Sequence, residues 1–312
     1  MIDSNAAALP KIDTVPLARP GVWRRLLRNP AVLIGGSVLL VLALIAVCAP
    51  WLDTIDPTLI DPVNRDLLPR TQGTVTPLEG DPFARTFWMG TDSLGRDVYS
   101  RVLYGARVSL LVGLVVAAVS LLLGITIGLV AGYLRWLDGI VMRIMDGLMA
   151  IPGILLAIAL VSLWKASLLS VVVAIAIPEV PRVTRLVRAL VLSLREEPYV
   201  EAAIALGTST PRILLRHILP NTVAPLIVQG TYLCASAILV EAILSFLGVG
   251  LPTDVPTWGN VMAEGRLQFT QYPHNVLYAG IFLAATVLAV NMLGDGLRDT
   301  LDPKFTQRGG GR

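Results

Sequence analysis

Charge is what this chain has least of. Asp, Glu, Lys and Arg make up 15% of its 312 residues, where a soluble protein carries about 25%. So low a share argues against an ordinary soluble enzyme, and the apolar content argues against a disordered chain. Cysteine is almost absent. Cys48 and Cys234 both lie inside apolar runs, which argues against a disulfide-stapled secreted domain and reads as small core residues. There are only two histidines, His217 and His274, and no pair of cysteines has zinc spacing. The patterns G-x-x-x-x-G-K-[ST], H-E-x-x-H and G-x-S-x-G do not occur. The chain therefore has no P-loop to cradle ATP phosphates, no zinc-protease helix and no nucleophile elbow. Aromatic residues are 6%, so aliphatic side chains supply the apolar mass. The net charge of +3, from 25 basic and 22 acidic residues, is too small to suggest nucleic acid.

What is present in abundance is hydrophobic sequence, 54% of the chain, with a mean hydropathy of +0.71. A membrane-crossing helix needs about 20 mostly apolar residues. Six segments qualify or come near: Ala31 to Ala49, Val108 to Leu134, Gly147 to Trp164 entered from Ile140, the shorter Leu168 to Pro181, Thr222 to Leu247, and Asn275 to Gly294. Lipid leaves no water for unpaired backbone groups, so such segments are expected to be helices. A cleaved signal is the alternative for the first run, which follows Arg24, Arg25 and Arg28. Its length, and Val47 before Cys48 where a lipoprotein signal wants a small residue, weigh against cleavage.

Lys and Arg concentrate on one side of the expected spans. The N-terminal tail (Lys11, Arg19, Arg24, Arg25, Arg28), Arg135 and Arg143, the stretch Arg182 to Arg216, and the C-terminal end (Arg298, Lys304, Arg308, Arg312) share that side. The positive-inside rule then places both termini in the cytoplasm, with His217 and His274 on opposite sides of the membrane. Ionisable residues inside spans are functional candidates by default. Here they are Asp146, Glu179 and Glu241. Glu241 and Asp146 are the pathway candidates, with a bond to a neighbouring helix as the plainer reading.

The cytoplasmic stretch Glu196–Asn221 is the most organised polar segment. Pro198 suits the first turn of a short helix, with Glu196 and Glu197 near its positive end. Ala202 and Ala203 keep that helix slim, and Gly207 ends it. Thr210 and Pro211 can open a second helix with Arg216 and His217 in its last turn and Pro220 as its stop. Such a helix-turn-helix is either a plain interfacial element or a docking knob.

Its spacing carries a resemblance. Glu201-Ala202-Ala203, three residues, Gly207, twelve residues, Pro220 resembles the EAA loop of ABC-importer permeases. In that family the loop is the coupling helix that enters a cleft on the ATP-hydrolysing subunit. The general pattern has isoleucine where His217 stands; histidine there resembles the peptide-importer branch. Gly90-Thr-Asp-Ser-Leu-Gly-Arg-Asp97, Ser100-Arg101, Gly105-Ala-Arg107 and Ser109-Leu are similar to the entry to the second span in dipeptide, oligopeptide and nickel permeases. So is Gly294 to Pro303. By residue type alone, Asp92–Arg96 and Asp97–Arg101 form i,i+4 pairs of a short helix capped by Thr91 or Asp92, worth about 0.2–0.5 kcal/mol each. A metal or paired-carboxylate site is the sharper alternative, disfavoured because no histidine is near.

The resemblance implies an all-α integral membrane protein of six transmembrane helices with a cytoplasmic coupling helix, the type I ABC-importer permease fold. Its parts would be a cytoplasmic tail (1–29), the first span and a long outer loop (30–107), a core of five spans (108–298) containing the loop 196–221, and a cytoplasmic tail (299–312). It implies a non-catalytic subunit of a bacterial inner-membrane importer of di- or oligopeptides, or of a related solute such as nickel complexes. Glu201, Ala202, Ala203, Gly207, Arg212, His217, Leu219 and Pro220 would form the ATPase contact. The implied partners are a homologous second permease, two ATPases holding ATP and Mg, and an extracytoplasmic solute-binding protein. No catalytic residue, metal or cofactor is expected in this chain. An ion-gradient-driven secondary transporter is the rival; it would favour paired inverted repeats, and none is evident. A membrane-embedded enzyme is a second rival, without clustered chemistry to support it.

Overall fold

The computed structural model describes residues 22–77 and 80–301. The expectations that fall on Lys11, Arg19, Asp302, Pro303, Lys304, Arg308 and Arg312 lie outside the described residues. After a short helix α1 (Val22–Leu26), the chain forms α2 (Pro30–Cys48), a hairpin of β1 (Thr71–Val75) and β2 (Phe83–Phe87), and α3 (Val98–Tyr133). Then come α4 (Arg135–Met149), α5 (Gly153–Leu163), α6 (Leu168–Leu194), α7 (Pro198–Ala205), α8 (Thr210–Ile213), α9 (Leu219–Phe246), α10 (Trp258–Gly265) and α11 (His274–Leu301). Among the described residues, α2, α3, the run from α8 through α9, and α11 are long and apolar enough to cross a membrane. The bent pair α4–α5 makes a fifth if it is one span.

The bundle is held by close backbone approach. Gly124, Gly128 and Gly132 form a stripe along α3, and each faces one valine of α6 in turn: Val183, Val187 and Val191. A Cβ on Gly128 would stand 2.7 Å from the Cβ of Val187, and one on Gly132 would stand 2.8 Å from that of Val191. Lipid tails are as apolar as leucine, so packing of this kind drives helix association in a membrane. Both series ascend together, so α3 and α6 run parallel. The same device recurs where Gly35 of α2 meets the Ala289 carbonyl of α11, and where Gly113 of α3 meets Ile238 of α9. Asn29 caps α2, its Oδ1 accepting from Ala31 N–H at 2.9 Å, while its amide donates to the Gly296 carbonyl at 3.3 Å. The start of α2 therefore lies beside the end of α11. The described residues between 51 and 97 gather at one end of the bundle, called here the loop end. The α6–α7–α8 connection lies at the other, the turn end, together with Asn29 and Leu301.

Several boundaries differ from the sequence reading. The fourth segment was expected to stop at Pro181, but α6 continues through Pro178 and Pro181 to Leu194. Packing on α3 outweighs the two missing N–H donors, as neighbouring helices commonly allow. Arg182, Arg185 and Arg188 consequently lie on a helix and not in a connecting loop. Asp138 and Asp146 of α4 pair with them: Arg188 Nη2 donates to Asp138 Oδ2 at 2.6 Å, and Arg185 donates to Asp146. The third segment is not one run, because α4 and α5 bend by 86°. Pro152 forces the residue before it out of the α region, and its own backbone is extended (ψ 125°). The long outer loop contains a two-stranded antiparallel ladder, with Thr71 opposite Phe87 and Val75 opposite Phe83, where the sequence reading named no strand.

Gly128→Leu should break the α3–α6 seam by overpacking, with a loss of about 1–3 kcal/mol. Thermal unfolding in detergent should show a lowered midpoint. Adding Val187→Ala should restore part of it, and an unchanged midpoint in Gly128→Leu would contradict the seam.

Candidate functional site

Two regions carry the polar residues singled out by the sequence, one at each end of the bundle. At the turn end, Pro198 occupies the first turn of α7, and Glu197 precedes it with extended backbone (ψ 139°). The helix ends in a Schellman turn. Gly207 has φ +73°, its N–H donates to the Ile204 carbonyl at 2.9 Å, and Thr208 N–H donates to the Ala203 carbonyl at 3.0 Å. Glycine reaches that left-handed conformation without a Cβ penalty. Nothing lies within 4 Å of the place a Cβ would occupy on Gly207, so the turn projects into open space.

The knob is anchored by its base. Val200 and Ile213 are fully buried and belong to one apolar cluster with Val183, Val187 and Val191 of α6 and with Ile218. Its tip is apolar and bare: Leu206 is 86% exposed, and Ile204, Leu215 and Tyr199 are exposed as well. Glu201, Ala202, Gly207, Arg212 and Pro220 face outward, Ala203 is buried, and His217 and Leu219 are half-buried. Ser209, Pro211, Arg212, Leu215, Arg216 and Pro220 line a shallow groove of about 540 Å³ beside the turn. The eight residues expected at the ATPase contact thus follow one another from α7 through the Gly207 turn, α8 and the π turn to the start of α9.

The second helix was expected to be capped by Thr210 and stopped by Pro220. Ser209 stands at its cap position, with no side-chain bond. Pro220 does not stop it, because Leu214–Ile218 form a π-helical turn that leads straight into α9. Leu219 N–H bonds the Leu214 carbonyl, five residues back. Proline removes one N–H and its ring crowds the preceding turn; a widened turn relieves both, as π-bulges do. Asn221 Nδ2 donates back to the His217 carbonyl at 2.7 Å.

At the loop end, residues 91–97 are not helical. They form a turn closed by an isolated antiparallel bridge between Thr91 and Asp97. Asp92 Oδ1 accepts from Leu94 and Arg96 N–H at 2.9 Å each, and Arg96 Nε donates to Asp92 Oδ2 at 2.7 Å. Gly90 and Gly95 have φ of +80° and +78°, so the motif's glycines serve this turn. Neither Thr91 nor Asp92 caps α3; Asp97 does, with Oδ2 accepting from Ser100 N–H at 3.3 Å. The pairing partner of Asp97 is Arg85 of β2, at 3.0 Å, and not Arg101. Arg101 is fully buried; its Nη2 donates to Glu264 of α10 at 3.2 Å and to the Thr253 carbonyl at 3.4 Å. Arg96 donates to the same Glu264. Burial pushes the Glu264 carboxyl up, and the Arg101 and Arg96 guanidiniums pull it back. Trp258, also fully buried, donates its indole N–H to the Val102 carbonyl at 3.1 Å, beside Gly105. The motif therefore ties the loop, α3 and α10 into one cap.

The sequence reading missed Arg85, Glu264 and Asp138 as partners, and the Gly124-x3-Gly128-x3-Gly132 stripe. Only the stripe had a readable signal, its i,i+4 spacing of small residues. Of the two pathway candidates, Glu241 adjoins the loop-end cap through Thr257, the residue that caps α10, and Asp146 belongs to neither region. Glu241 is fully buried within the chain, and its Oε1 accepts from Ser245 Oγ at 2.8 Å. Asp146 is exposed on α4 beside Arg185. Among the described residues, no three His, Cys, Asp or Glu side chains gather as metal ligands would.

Arg101→Met should leave the Glu264 carboxylate under-paired in the cap, at a cost of about 3 kcal/mol. Chemical unfolding followed at the outer loop should show it. The double variant with Glu264→Met should recover most of the loss, and additive losses would argue against the pairing.

Comparison with known proteins gives a consistent set of relatives. A family model described as the inner membrane component of binding-protein-dependent transport systems matches residues 124–307. A model of the N-terminal transmembrane domain of oligopeptide transport permease C matches residues 21–69. A probable peptide ABC transporter permease of Sinorhizobium fredii is 50% identical over 305 residues, 98% of each chain. A dipeptide transport system permease of Alkalihalophilus pseudofirmus is 43% identical, over 91% of this chain and 89% of its own. A glutathione transport system permease of Pectobacterium atrosepticum is 40% identical over 96% of each chain.

Proposed function

From its membership in the family of binding-protein-dependent inner membrane transport components, in which this chain is a multi-pass permease of an ABC peptide importer, we propose how it works. Six spans form the permease: α2, α3, the bent pair α4–α5, α6, α9 and α11. Both termini and the turn end face the cytoplasm, and the cap of residues 51–97 with α10 faces outward. The solute is a di- or oligopeptide, in keeping with relatives named for peptide, dipeptide and glutathione transport, with a related small solute such as a nickel complex as the alternative.

The chain pairs with a homologous permease, and the passage runs between the two. An extracytoplasmic binding protein delivers solute to the capped end. Two ATPases, which hold ATP and Mg, supply the energy. This chain performs no covalent chemistry and needs no cofactor of its own. One observation carries the reading: the Gly207 turn, bare at its Leu206 tip and clamped at its Val200 and Ile213 base. A knob of that build enters a cleft on an ATPase without deforming. Its base shares one buried apolar cluster with α6, and through the π turn it continues into α9. Movement of the knob therefore reaches two spans through rigid contacts, a continuity that coupling between distant sites requires.

Gly207→Arg places a charged side chain at a left-handed backbone position in the docking turn, and Leu206→Asp removes its apolar tip. Each should lower ATPase co-purification and coupled hydrolysis at least tenfold, while insertion in the membrane persists. Peptide uptake at the unaltered rate would refute the docking role. Reconstituted by itself in liposomes under an ion gradient, the chain should accumulate no peptide. Accumulation there would favour the secondary-transporter reading instead.

A further inference from the structure

A pair of opposite charges sits halfway up the bundle, where neither end needs it. Arg182 Nη1 donates to Glu179 Oε2 at 2.8 Å. Ser236 of α9 donates to the other carboxylate oxygen at 3.4 Å. The guanidinium of Arg182 lies 5.6 Å from the centre of the Tyr232 ring.

The seam with α3 gives the height of this group. Val183 packs on Gly124, so Glu179, one turn earlier, is level with Ser120. That is near the middle of the uncharged run Val108 to Leu134. A charged side chain at such depth avoids hydrocarbon and faces a protein interior or a water-filled space. Glu179 is 12% exposed in its side chain, but Arg182 is 46% exposed and Tyr232 is 50% exposed. Nearly half of the Arg182 side chain is thus left uncovered by its own chain at mid-height.

We propose that Glu179, Arg182, Tyr232 and Ser236 form a polar stripe on the passage wall that meets the two charged ends of a peptide in transit. The proposal rests on the reading above that the passage runs between two permeases. The chemistry suits a zwitterion. Arg182 offers donors to a terminal carboxylate, Glu179 accepts from a terminal ammonium, and Tyr232 gives the guanidinium a second partner while it changes hands. An ion pair already made within the wall can exchange partners with the solute without leaving a charge alone in the low-dielectric interior. Glu179 and Arg182 are specificity-determining groups in this account, not catalysts.

The test uses the whole importer in proteoliposomes, with Cys48→Ala and Cys234→Ala as background. In the Tyr232→Cys variant, a charged, membrane-impermeant methanethiosulfonate reagent should label the new thiol, and saturating dipeptide should slow labelling at least fivefold. Leu114→Cys, on an apolar face of α3, should stay unlabelled. Glu179→Gln should shrink the preference for a free dipeptide over its N-acetylated form at least tenfold. Arg182→Gln should do the same for the C-terminally amidated form, with partial recovery in Arg182→Lys. A Tyr232→Cys thiol as inert as that at position 114 would overturn the proposal, since the face would then be sealed against the partner permease. Unchanged discrimination in both neutral variants would overturn it too. Failure of the unsubstituted importer to take up dipeptide with ATP would instead sink the functional reading on which the proposal stands.

Discussion

The rest of this molecule depends on how closely two backbones approach. Three glycines of α3 lie against three valines of α6, and the contact leaves no room for slippage by a residue. That register sets the height of everything attached to α6. It places the α7 knob beyond one end of the bundle, and it puts Glu179 and Arg182 at mid-depth. Dispersion between close surfaces is weak per atom but large in sum. A seam without Cβ atoms on one side gains it over the full length of the contact.

The two ends solve opposite problems. The loop end is stitched by charge: Arg85 with Asp97, Arg96 with Asp92, and Arg96 and Arg101 sharing Glu264. These groups are largely withdrawn from water, so every charge is held against an opposite one, shared where two guanidiniums meet Glu264. The turn end is stitched by aliphatic side chains at its base and presents bare leucine outward. One end therefore resists deformation and the other offers a surface to grip. Such a division suits a body moved from one side while it receives solute on the other.

Much of this was legible in the residues. Pro198, the alanines and Gly207 spell a short helix with a left-handed stop, because proline and glycine act through local backbone geometry. The apolar runs gave α2, α3, α9 and α11 to within a few residues at most of their ends. Other features were not legible, for a common reason. Pro181 and Pro220 look like terminators, yet tertiary contact holds α6 together past the first, and a widened turn absorbs the second. Asp97 and Arg101 stand at helical spacing, but the better partners lie outside the helix: Arg85 on β2, 12 residues back, and Glu264 on α10, 163 residues on. The α3 helix begins ten residues before its uncharged run because Arg101 is neutralised by α10. Local chemistry writes local structure; the long-range pairings depend on which elements meet.

The π turn between α8 and α9 has a consequence of its own. It holds five residues where an ordinary helical circuit would hold fewer, and so it stores one residue of slack. Rewinding that circuit to the common pitch would turn the α8 segment by roughly 100° about its axis, while α9 stayed in place. A one-residue deletion within Leu214–Ile218 would be absorbed there with both flanking helices left in phase, whereas the same deletion further along α9 would throw every later side chain off its face. The junction is a swivel cut into an otherwise stiff rod, set between the bare knob and the long helix α9.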